Sequence, residues 1–294
     1  MKDYLSEFRS YLSLIKKSSA NTVESYVRDI SKFSDFAYQN NVTDITSVSS
    51  DFIEKYIAYI SGAKTESTVT RTVSSLRCYY KFLSSIGMCN NIPIESVKTA
   101  KPKPDKKLPQ ILELDEVRRL LDQPDISDIK GIRDKAMLEL MYATGIKVSE
   151  LISLEISSVN LQIGVVKIGR DERIVPLYDE ALKILSLYIS QVRSVIVTNP
   201  REKMLFTNMN GTVLTRQGFW KIIKYYAAKA GIKKDITPHT IRHSFAAHLL
   251  ENGANLEDIK ELLGYSDISS AQVYAQIVSN KYRGKYKQFH PMAR

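Results

Sequence analysis

Cysteine is scarce in this sequence of 294 residues, with only Cys78 and Cys89 present. A small fold stapled by disulfides needs more cysteines, and both of these lie in or beside an apolar stretch with helical spacing. We therefore predict two unpaired, buried thiols in a reducing cytoplasm, which excludes the disulfide-rich secreted class.

Long hydrophobic runs are absent as well. No stretch of 18 or more apolar residues occurs, and the first 17 residues carry the acidic side chains of Asp3 and Glu7. The first observation excludes a membrane-spanning helix, and the second argues against a signal peptide. We expect a soluble cytoplasmic protein with no membrane partner.

Acidic residues are outnumbered by basic ones, 32 against 42, which gives a net charge of +10. A charge of this sign and size favours a polyanionic partner, although many basic proteins bind no acid, so charge alone leaves both possibilities open. The hydrophobic content of 44% is that of a globular chain, and the length suggests two domains.

Residues 1–97 contain four stretches in which apolar side chains recur every three or four positions, as on one face of a helix. Polar residues at 18–21 and 49–51 offer side-chain oxygens that can cap two of these helices, and Gly87 is typical of a residue just past a helix end. The sequence therefore predicts an N-terminal domain of four helices.

A basic segment at 98–109 separates this domain from the rest. It contains three prolines, five lysines and one aspartate, a composition that stops helices and resists burial. We predict a linker here, between domains at 1–97 and 110–294.

Basic residues outnumber acidic ones by 16 to 11 before Leu108 and by 26 to 21 from there on. Two basic domains joined by a basic linker could close around a DNA duplex, and we predict that Lys101 and Lys103 contact phosphates. The alternative is that the linker is only a solvated tether.

The C-terminal domain is predicted to be helical apart from one small antiparallel sheet at 159–177. Two short runs of β-branched residues, 165–168 and 173–177, flank a tight turn at 169–172, which indicates a hairpin. Helical spacing predicts helices over 112–121, 132–143, 148–154, 181–192, 218–230, 240–252 and 256–263.

Two histidines and an arginine stand out in the segment 238–244. His239 and Arg242 are three residues apart, so a helix would place a proton carrier beside a cation that can grip a phosphate through two N–H groups. His239 and His243 have the spacing of a zinc pair, but the metalloprotease pattern requires a glutamate between them, and Arg242 would repel the ion. We predict no metal.

The stretch 262–275 contains Tyr265 and Tyr274. Because the chain has 17 tyrosines, chemistry alone gives no reason to select either as a catalytic group. A packing role is the ordinary expectation for a tyrosine.

The segment HTIRHSFAAHLLENGANLEDIKELLGYSDISSAQVYAQI (239–277) resembles the C-terminal signature of the tyrosine recombinases, the family of phage integrases and Xer recombinases. GIRDKAMLELMYATGIKVSELISL (131–154) resembles the segment of their first catalytic arginine. DERIVPL (171–177) is similar to the end of their active-site hairpin, and YKQFHPMAR (286–294) to the Xer C-terminus. NTVESYVRDISKF (21–33) and RTVSSLRCYYKFL (71–83) resemble the Xer DNA-binding domain.

The resemblance implies a mainly α two-domain architecture, with a helical SAM-like core-binding domain and a catalytic domain that carries a small antiparallel sheet. It also implies site-specific DNA recombination through a 3′-phosphotyrosine, without metal or cofactor. By residue match, Tyr274 is the nucleophile, Arg242 the second phosphate-binding arginine, and His239 the adjacent proton donor or base. We expect DNA contacts from a further group of basic side chains, namely Arg28, Arg71, Arg77, Arg170, Arg173 and His243.

Three family positions differ in this chain. Lys147 stands where relatives have the first arginine, and Tyr265 where they have histidine or tryptophan. The hairpin lacks a lysine at the usual place, with Lys167 on the preceding strand and Arg170 in the turn. Either Lys147, Tyr265 and Lys167 serve as substitutes in an active recombinase, or the protein binds DNA and cleaves it slowly or not at all. We favour activity, because every replacement is polar or cationic.

The resemblance further implies double-stranded DNA as partner and a dimer to tetramer of this chain on it, with a second recombinase possible. Because two domains account for the length of this sequence, we expect no additional arm-binding domain. We therefore expect Xer-like resolution (chromosome partition), inversion or mobile-element recombination, and the DNA target sequence stays open.

Overall fold

The computed structural model describes residues 4–89, 92–95, 97, 108–169, 172–289 and 292. The chain divides into two compact units, Met1–Lys106 and Lys107–Arg294. Most of the predicted linker, including Lys101 and Lys103, lies outside the described residues, so its bounds stay a prediction. No described helix combines the length and apolar composition needed to cross a membrane.

The N-terminal unit is built from four helices: α1 (Leu5–Ser10, extended by a wider turn at Tyr11–Ile15), α2 (Ala20–Gln39), α3 (Ser50–Ser61) and α4 (Glu66–Ser85). Side-chain oxygens cap three of them, since Ser19, Ser49 and Thr65 each accept a hydrogen bond from an N–H of the first turn. The apolar faces form one aromatic-rich core, whose fully buried members include Phe8, Phe33, Tyr79 and Tyr80.

The C-terminal unit carries the small sheet and the remaining helices. Strands β1 (Val159–Asn160), β2 (Val165–Ile168) and β3 (Arg173–Pro176) pair antiparallel in that order, with Val166 opposite Val175. The described helices are α5 (Leu114–Leu121), α6 (Ile129–Thr144), α7 (Val148–Ile152), α8 (Asp179–Leu187, continued by a wider turn at Tyr188–Val192), α9 (Arg193–Ile196), α10 (Arg216–Lys229), α11 (Pro238–Glu251), α12 (Leu256–Leu263) and α13 (Gln272–Phe289).

Helix α6 is the centre of this unit, because it is buried on nearly every side. Its charged residues are compensated inside the protein: Arg133 pairs with Asp134, and Lys135 with Glu139. The helix ends at Gly145, whose φ of +57° is a left-handed conformation that favours glycine. The chain then turns directly into α7.

A smaller core cluster joins α11, α12 and the first turns of α13. Phe245, Leu263, Ala271 and Tyr274 are among its buried members. Gly145 lies against this cluster, since a Cβ at that position would stand 2.5 Å from Cδ1 of Phe245 and 2.7 Å from Cδ2 of Leu263. The end of α6 therefore sets the place of α11 and α12.

We expect Gly145→Ala to destabilise the protein more than Gly231→Ala. Both glycines follow a helix with positive φ, so both substitutions carry the same left-handed strain, but nothing lies within 4 Å of a Cβ at Gly231. The free energy of unfolding should fall by about 1–3 kcal/mol more in Gly145→Ala than in Gly231→Ala, which is the usual cost of overpacking a core. Denaturant unfolding of the two variants measures this difference. An equal fall in both variants would show that the contact with Phe245 and Leu263 is not tight.

Candidate active site

The hydroxyl of Tyr274 lies at the meeting point of three segments. Tyr274, in the first turn of α13, is fully buried. Its hydroxyl is 3.0 Å from Nδ1 of His243 on α11 and 2.9 Å from the hydroxyl of Tyr265, which follows Gly264 at the end of α12. The structure thus brings together Tyr274, Tyr265 and His243, and it joins the two phenols and the imidazole in one hydrogen-bonded chain.

Arg242 is the neighbour of His243 on α11 and is only 3% exposed. Its guanidinium donates a hydrogen bond to the carbonyl of Gly145 and another, 2.7 Å long, to the carbonyl of Leu263. The same group lies over the ring of Tyr265, with 5.1 Å between the guanidinium carbon and the ring centroid. Arg242 therefore fixes the end of α6, the end of α12 and Tyr265 together.

The charge of Arg242 is not compensated by any carboxylate among the described residues. This distinguishes it from three other arginines, since Arg71 pairs with Asp29, Arg133 with Asp134 and Arg173 with Glu150. A buried cation is costly unless an anion accompanies it. An anionic ligand at Arg242 would supply that partner.

Lys147 immediately precedes α7, two residues after Gly145, and its side chain is half-buried. The backbone N–H of Lys147 donates to Oε2 of Glu150 at 2.9 Å. Among the described residues its ammonium makes no hydrogen bond or ion pair. Lys147 thus offers a second cation without a bound carboxylate, on the segment that Arg242 holds in place.

His239 lies one turn before His243 and is exposed. Its ring centroid is 6.2 Å from that of His243, with the rings inclined by 30°. The two histidines therefore occupy different positions, one beside the Tyr274 hydroxyl and the other at the surface of α11.

Arg173 on β3 ties the hairpin to both neighbouring segments. Its guanidinium donates to the two carboxylate oxygens of Glu150 at 3.1 and 2.8 Å and to the carbonyl of Leu262 at 3.0 Å. Burial disfavours the charged form of Glu150, but the hydrogen bonds from Arg173 and from the N–H of Lys147 outweigh it and lower the pKa of that carboxyl. These contacts support a positioning role for Arg173, and its predicted DNA contact stays a prediction.

The remaining predicted site residues are Lys167, Arg170 and three arginines of the N-terminal unit. Lys167 is exposed on β2 and pairs with Glu172 at 3.4 Å. Arg170 is not among the described residues. In the N-terminal unit, Arg28 is exposed and Arg77 half-buried, while Arg71 forms a two-pronged pair with the buried Asp29.

Two features of the site were not predicted from the sequence: the role of Glu150, and the contact of His243 with Tyr274. A glutamate three residues after Lys147 has the spacing of a capping box, which was the available signal for its hydrogen bond to the Lys147 N–H. His243 was predicted only as a DNA contact, but its ring lies against the Tyr274 hydroxyl. No local pattern in the sequence indicates that contact, because 31 residues separate the two partners.

Comparison with known proteins identifies the family. Residues 110–281 match the profile of the phage integrase family, and residues 5–87 match that of the phage integrase N-terminal SAM-like domain. The chain belongs to the phage integrase family. The predicted family and the predicted fold class are confirmed.

The full chain is 41% identical, over 297 aligned residues, to tyrosine recombinase XerD of Staphylococcus epidermidis, and equally to XerD of Staphylococcus aureus, with 100% of each chain covered. Among solved structures, XerA recombinase is 26% identical with a TM-score of 0.55 and 98% of each chain covered. XerH recombinase in a post-cleavage complex with its difH substrate is 17% identical with a TM-score of 0.77, covering 96% of this chain and 84% of XerH. The XerH match shows a shared fold.

His243 should remain neutral well below the pH at which histidine ordinarily titrates. Burial, with the nearby His239 and Arg242, lowers its pKa from 6.5 to about 4. Between pH 6.5 and 4 the unfolded chain takes up a proton that the folded protein refuses, so this contribution to stability is complete above pH 6.5 and is lost as the pH falls towards 4.

A titration of the His243 ring resonances by NMR checks this expectation. The midpoint should stay well below 6.5 in Tyr274→Phe too, because burial is the main cause of the shift. In His243→Asn, the free energy of unfolding should fall less steeply between pH 6.5 and 4 than in the wild type. A midpoint at or above 6.5 would contradict the burial of this ring.

Proposed function

We propose that this chain is a site-specific recombinase, which cuts and rejoins double-stranded DNA through a covalent bond between Tyr274 and a 3′-phosphate. One observation carries the proposal. Arg242, which is buried and has no carboxylate partner among the described residues, lies over the ring of Tyr265, and the hydroxyl of Tyr265 is hydrogen-bonded to that of Tyr274. The chain that carries this arrangement is 41% identical to XerD recombinases over its whole length.

The chemistry requires a nucleophile, a way to remove its proton, and fixed donors for the phosphate oxygens. The Tyr274 oxygen attacks phosphorus, the bond from phosphorus to the 5′ oxygen breaks, and a 5′-hydroxyl leaves. Negative charge on the phosphate oxygens is met by preorganised cations, which is usually the largest contribution to the rate. Because the phosphoester energy is kept in the tyrosine link, rejoining needs no nucleotide.

Arg242 is suited to the phosphate because its position is fixed before DNA arrives. A guanidinium has five N–H groups, and two of the Arg242 groups are used on the carbonyls of Gly145 and Leu263. The remaining groups and the uncompensated charge can serve two phosphate oxygens. Lys147 adds a point charge from α7, in place of the two-pronged grip that an arginine would provide.

Tyr274 cannot reach a phosphate in the conformation described, because it is fully buried. The first turn of α13 must therefore move when DNA is cleaved. The ammonium of Lys281 on α13 forms ion pairs of 2.9 Å with Glu113 and with Glu251, and these contacts hold the helix on its own domain. We infer that cleavage is coupled to loosening of α13.

We infer that the partner is double-stranded DNA and that copies of this chain assemble on it as dimers to tetramers, in the cytoplasm. The net charge of +10 supports a polyanionic partner. A structural relative, lambda integrase, is a dimer bound to a core site, which supports the inference that copies of this chain assemble on DNA. Participation of a second recombinase stays a prediction.

The alternative of an inactive DNA-binding protein is not favoured. The nucleophile, the arginine and a histidine lie together in the structure, and the replaced positions Lys147 and Tyr265 flank them with polar groups. The extent of any reduction in activity stays a prediction.

We expect Lys147→Arg to increase cleavage and Tyr274→Phe to abolish it. Guanidinium matches two phosphate oxygens in the transition state, and a phenyl ring has no nucleophile, while neither change removes a charge needed for DNA affinity. The assay is covalent adduct formation on a nicked suicide duplex that carries a binding site selected from random DNA. Lys183→Arg, at an exposed lysine of α8, is the matched control and should behave as the wild type.

The outcomes distinguish an active recombinase from a protein that only binds DNA. An adduct in the wild type that is lost in Tyr274→Phe supports the recombinase. If the wild type gives none on a verified binding site while Lys147→Arg gives one, the chain is a weakened recombinase. If neither variant nor wild type gives an adduct, the proposed function is wrong.

A further inference from the structure

Every carbonyl in the last turn of α12 has a hydrogen-bond donor. The first two of the four carbonyls accept from the backbone N–H groups of the two residues after the helix, at 3.0 and 3.1 Å, an arrangement typical of a helix that ends at a left-handed glycine. The third, of Leu262, accepts from Nε of Arg173 at 3.0 Å. The fourth, of Leu263, accepts from Arg242 at 2.7 Å. Tyr265 is the second residue after the helix, so these bonds determine where its side chain begins.

Arg173 uses its donors and its charge inside the protein, unlike Arg242. Three of its five N–H groups donate to Leu262 and to the two carboxylate oxygens of Glu150, and Nη1 also lies 3.5 Å from the carbonyl of Ile168. Its charge is compensated by Glu150, and the two side chains of this pair are only 14% and 17% exposed. A phosphate would have to displace Glu150 in order to bind here. The geometry therefore favours a role in holding neighbouring segments over a direct contact with DNA.

The guanidinium of Arg173 also lies against two glycines from different segments. A Cβ at Gly169, at the start of the hairpin turn, would stand 2.9 Å from Nη1 of Arg173. A Cβ at Gly264, at the end of α12, would stand 3.0 Å from the same atom. A larger side chain at either position would displace the guanidinium. Arg173 thus occupies a space that the two glycines leave open, between the hairpin and the end of α12.

We propose that Arg173 is a positioning residue of the reaction, which sets the place of Tyr265 through the end of α12 and that of Lys147 through Glu150. The proposal rests on the proposed function, in which these two side chains complete the phosphate site around Arg242. Oε2 of Glu150 accepts both from Arg173, at 2.8 Å, and from the N–H of Lys147, at 2.9 Å. A phenol and an ammonium each offer the phosphate a single contact instead of a two-pronged grip, so the rate depends on where each is held.

Two half-buried arginines, each changed to lysine, test the assignment. Arg173→Lys keeps the positive charge but loses the fork that bonds Glu150 and Leu262 at once. Arg193→Lys is the matched control, because Arg193 also donates through Nε and Nη2 to backbone carbonyls, but these belong to the loop after α9. If Arg173→Lys does not fold, Glu150→Gln, which breaks the same two-pronged pair, takes its place in every measurement.

We expect Arg173→Lys to form adduct on the nicked suicide duplex roughly 10- to 100-fold more slowly than the wild type, the usual cost of misplacing a catalytic group. The Kd for the same duplex should change less than about threefold, because the charge is kept. In a Tyr265→Phe background the same change should slow the reaction by a factor roughly three- to tenfold smaller, because the hydroxyl that Arg173 places is already gone. Arg193→Lys should react as the wild type.

Amide hydrogen exchange measures the same positions without any reaction. The N–H groups of Tyr265 and Lys147 should exchange about tenfold faster, or more, in Arg173→Lys than in Arg193→Lys. Each rate is taken relative to the N–H of Met137 in the buried centre of α6, which reports unfolding of the whole domain.

Three results would overturn the proposal. Adduct formation by Arg173→Lys at the wild-type rate would show that charge alone is sufficient at this position. An equal loss in the Tyr265→Phe background would show that Arg173 does not act through Tyr265. Unchanged exchange at Tyr265 and Lys147 would show that Arg173 holds neither of them. A wild type without adduct would instead contradict the proposed function itself, and the exchange rates would still decide whether Arg173 positions the two residues.

Discussion

The hydrogen bonds from Arg242 to the carbonyls of Gly145 and Leu263 join two helix ends that are far apart in the sequence. Each helix leaves its last carbonyls without an internal partner, and a buried end needs a donor from elsewhere. Arg242 supplies that donor to α6 and α12 at once, and its cation covers the ring of Tyr265. Lys147 and Tyr265 follow these two helix ends directly, so the position of each depends on Arg242.

Burial positions the side chains of the site, and it also limits the reactivity of Tyr274. Tyr274 is enclosed, and burial raises the pKa of its phenol above the ordinary value, which makes a free phenolate unfavourable. The proton of the Tyr274 hydroxyl therefore leaves only while the new bond to phosphorus forms. On the proposed function, Arg242 supplies the positive charge for the phosphate. On the proposed function, DNA is the ligand that compensates the buried cation of Arg242 and draws the hydroxyl of Tyr274 outward.

Much of the fold followed from local patterns. The helix predicted over 256–263 has those bounds, because Asn255 caps its start and Gly264 ends it in the left-handed conformation. The helix predicted from 132 begins at Ile129, since the carboxylate of Asp128 accepts from the N–H groups of Lys130 and Gly131. Helix α13 was not predicted, because its apolar residues are interrupted by polar and basic ones and its burial depends on contacts with α11 and α12.

The site was less accessible to sequence reasoning. Resemblance selected Tyr274, because chemistry alone had no means to distinguish one tyrosine among 17, whereas the spacing of His239 and Arg242 indicated Arg242 without it. The bonds of Arg173 to Glu150 and of His243 to Tyr274 join residues 23 and 31 positions apart, and such contacts arise only from the tertiary packing. For the same reason, the sequence does not indicate that the side chain of Arg28 is exposed and that the side chain of Arg71 forms an ion pair.

Identification of the DNA-linked residue decides which side chain is the nucleophile, because two tyrosine hydroxyls lie 2.9 Å apart at the site. The covalent adduct from the suicide duplex is digested with nuclease and protease, and the nucleotide-bearing peptide is sequenced by mass spectrometry. We predict the modification on Tyr274, through a 3′-phosphate. A nucleotide on Tyr265, or a link through a 5′-phosphate, would contradict it.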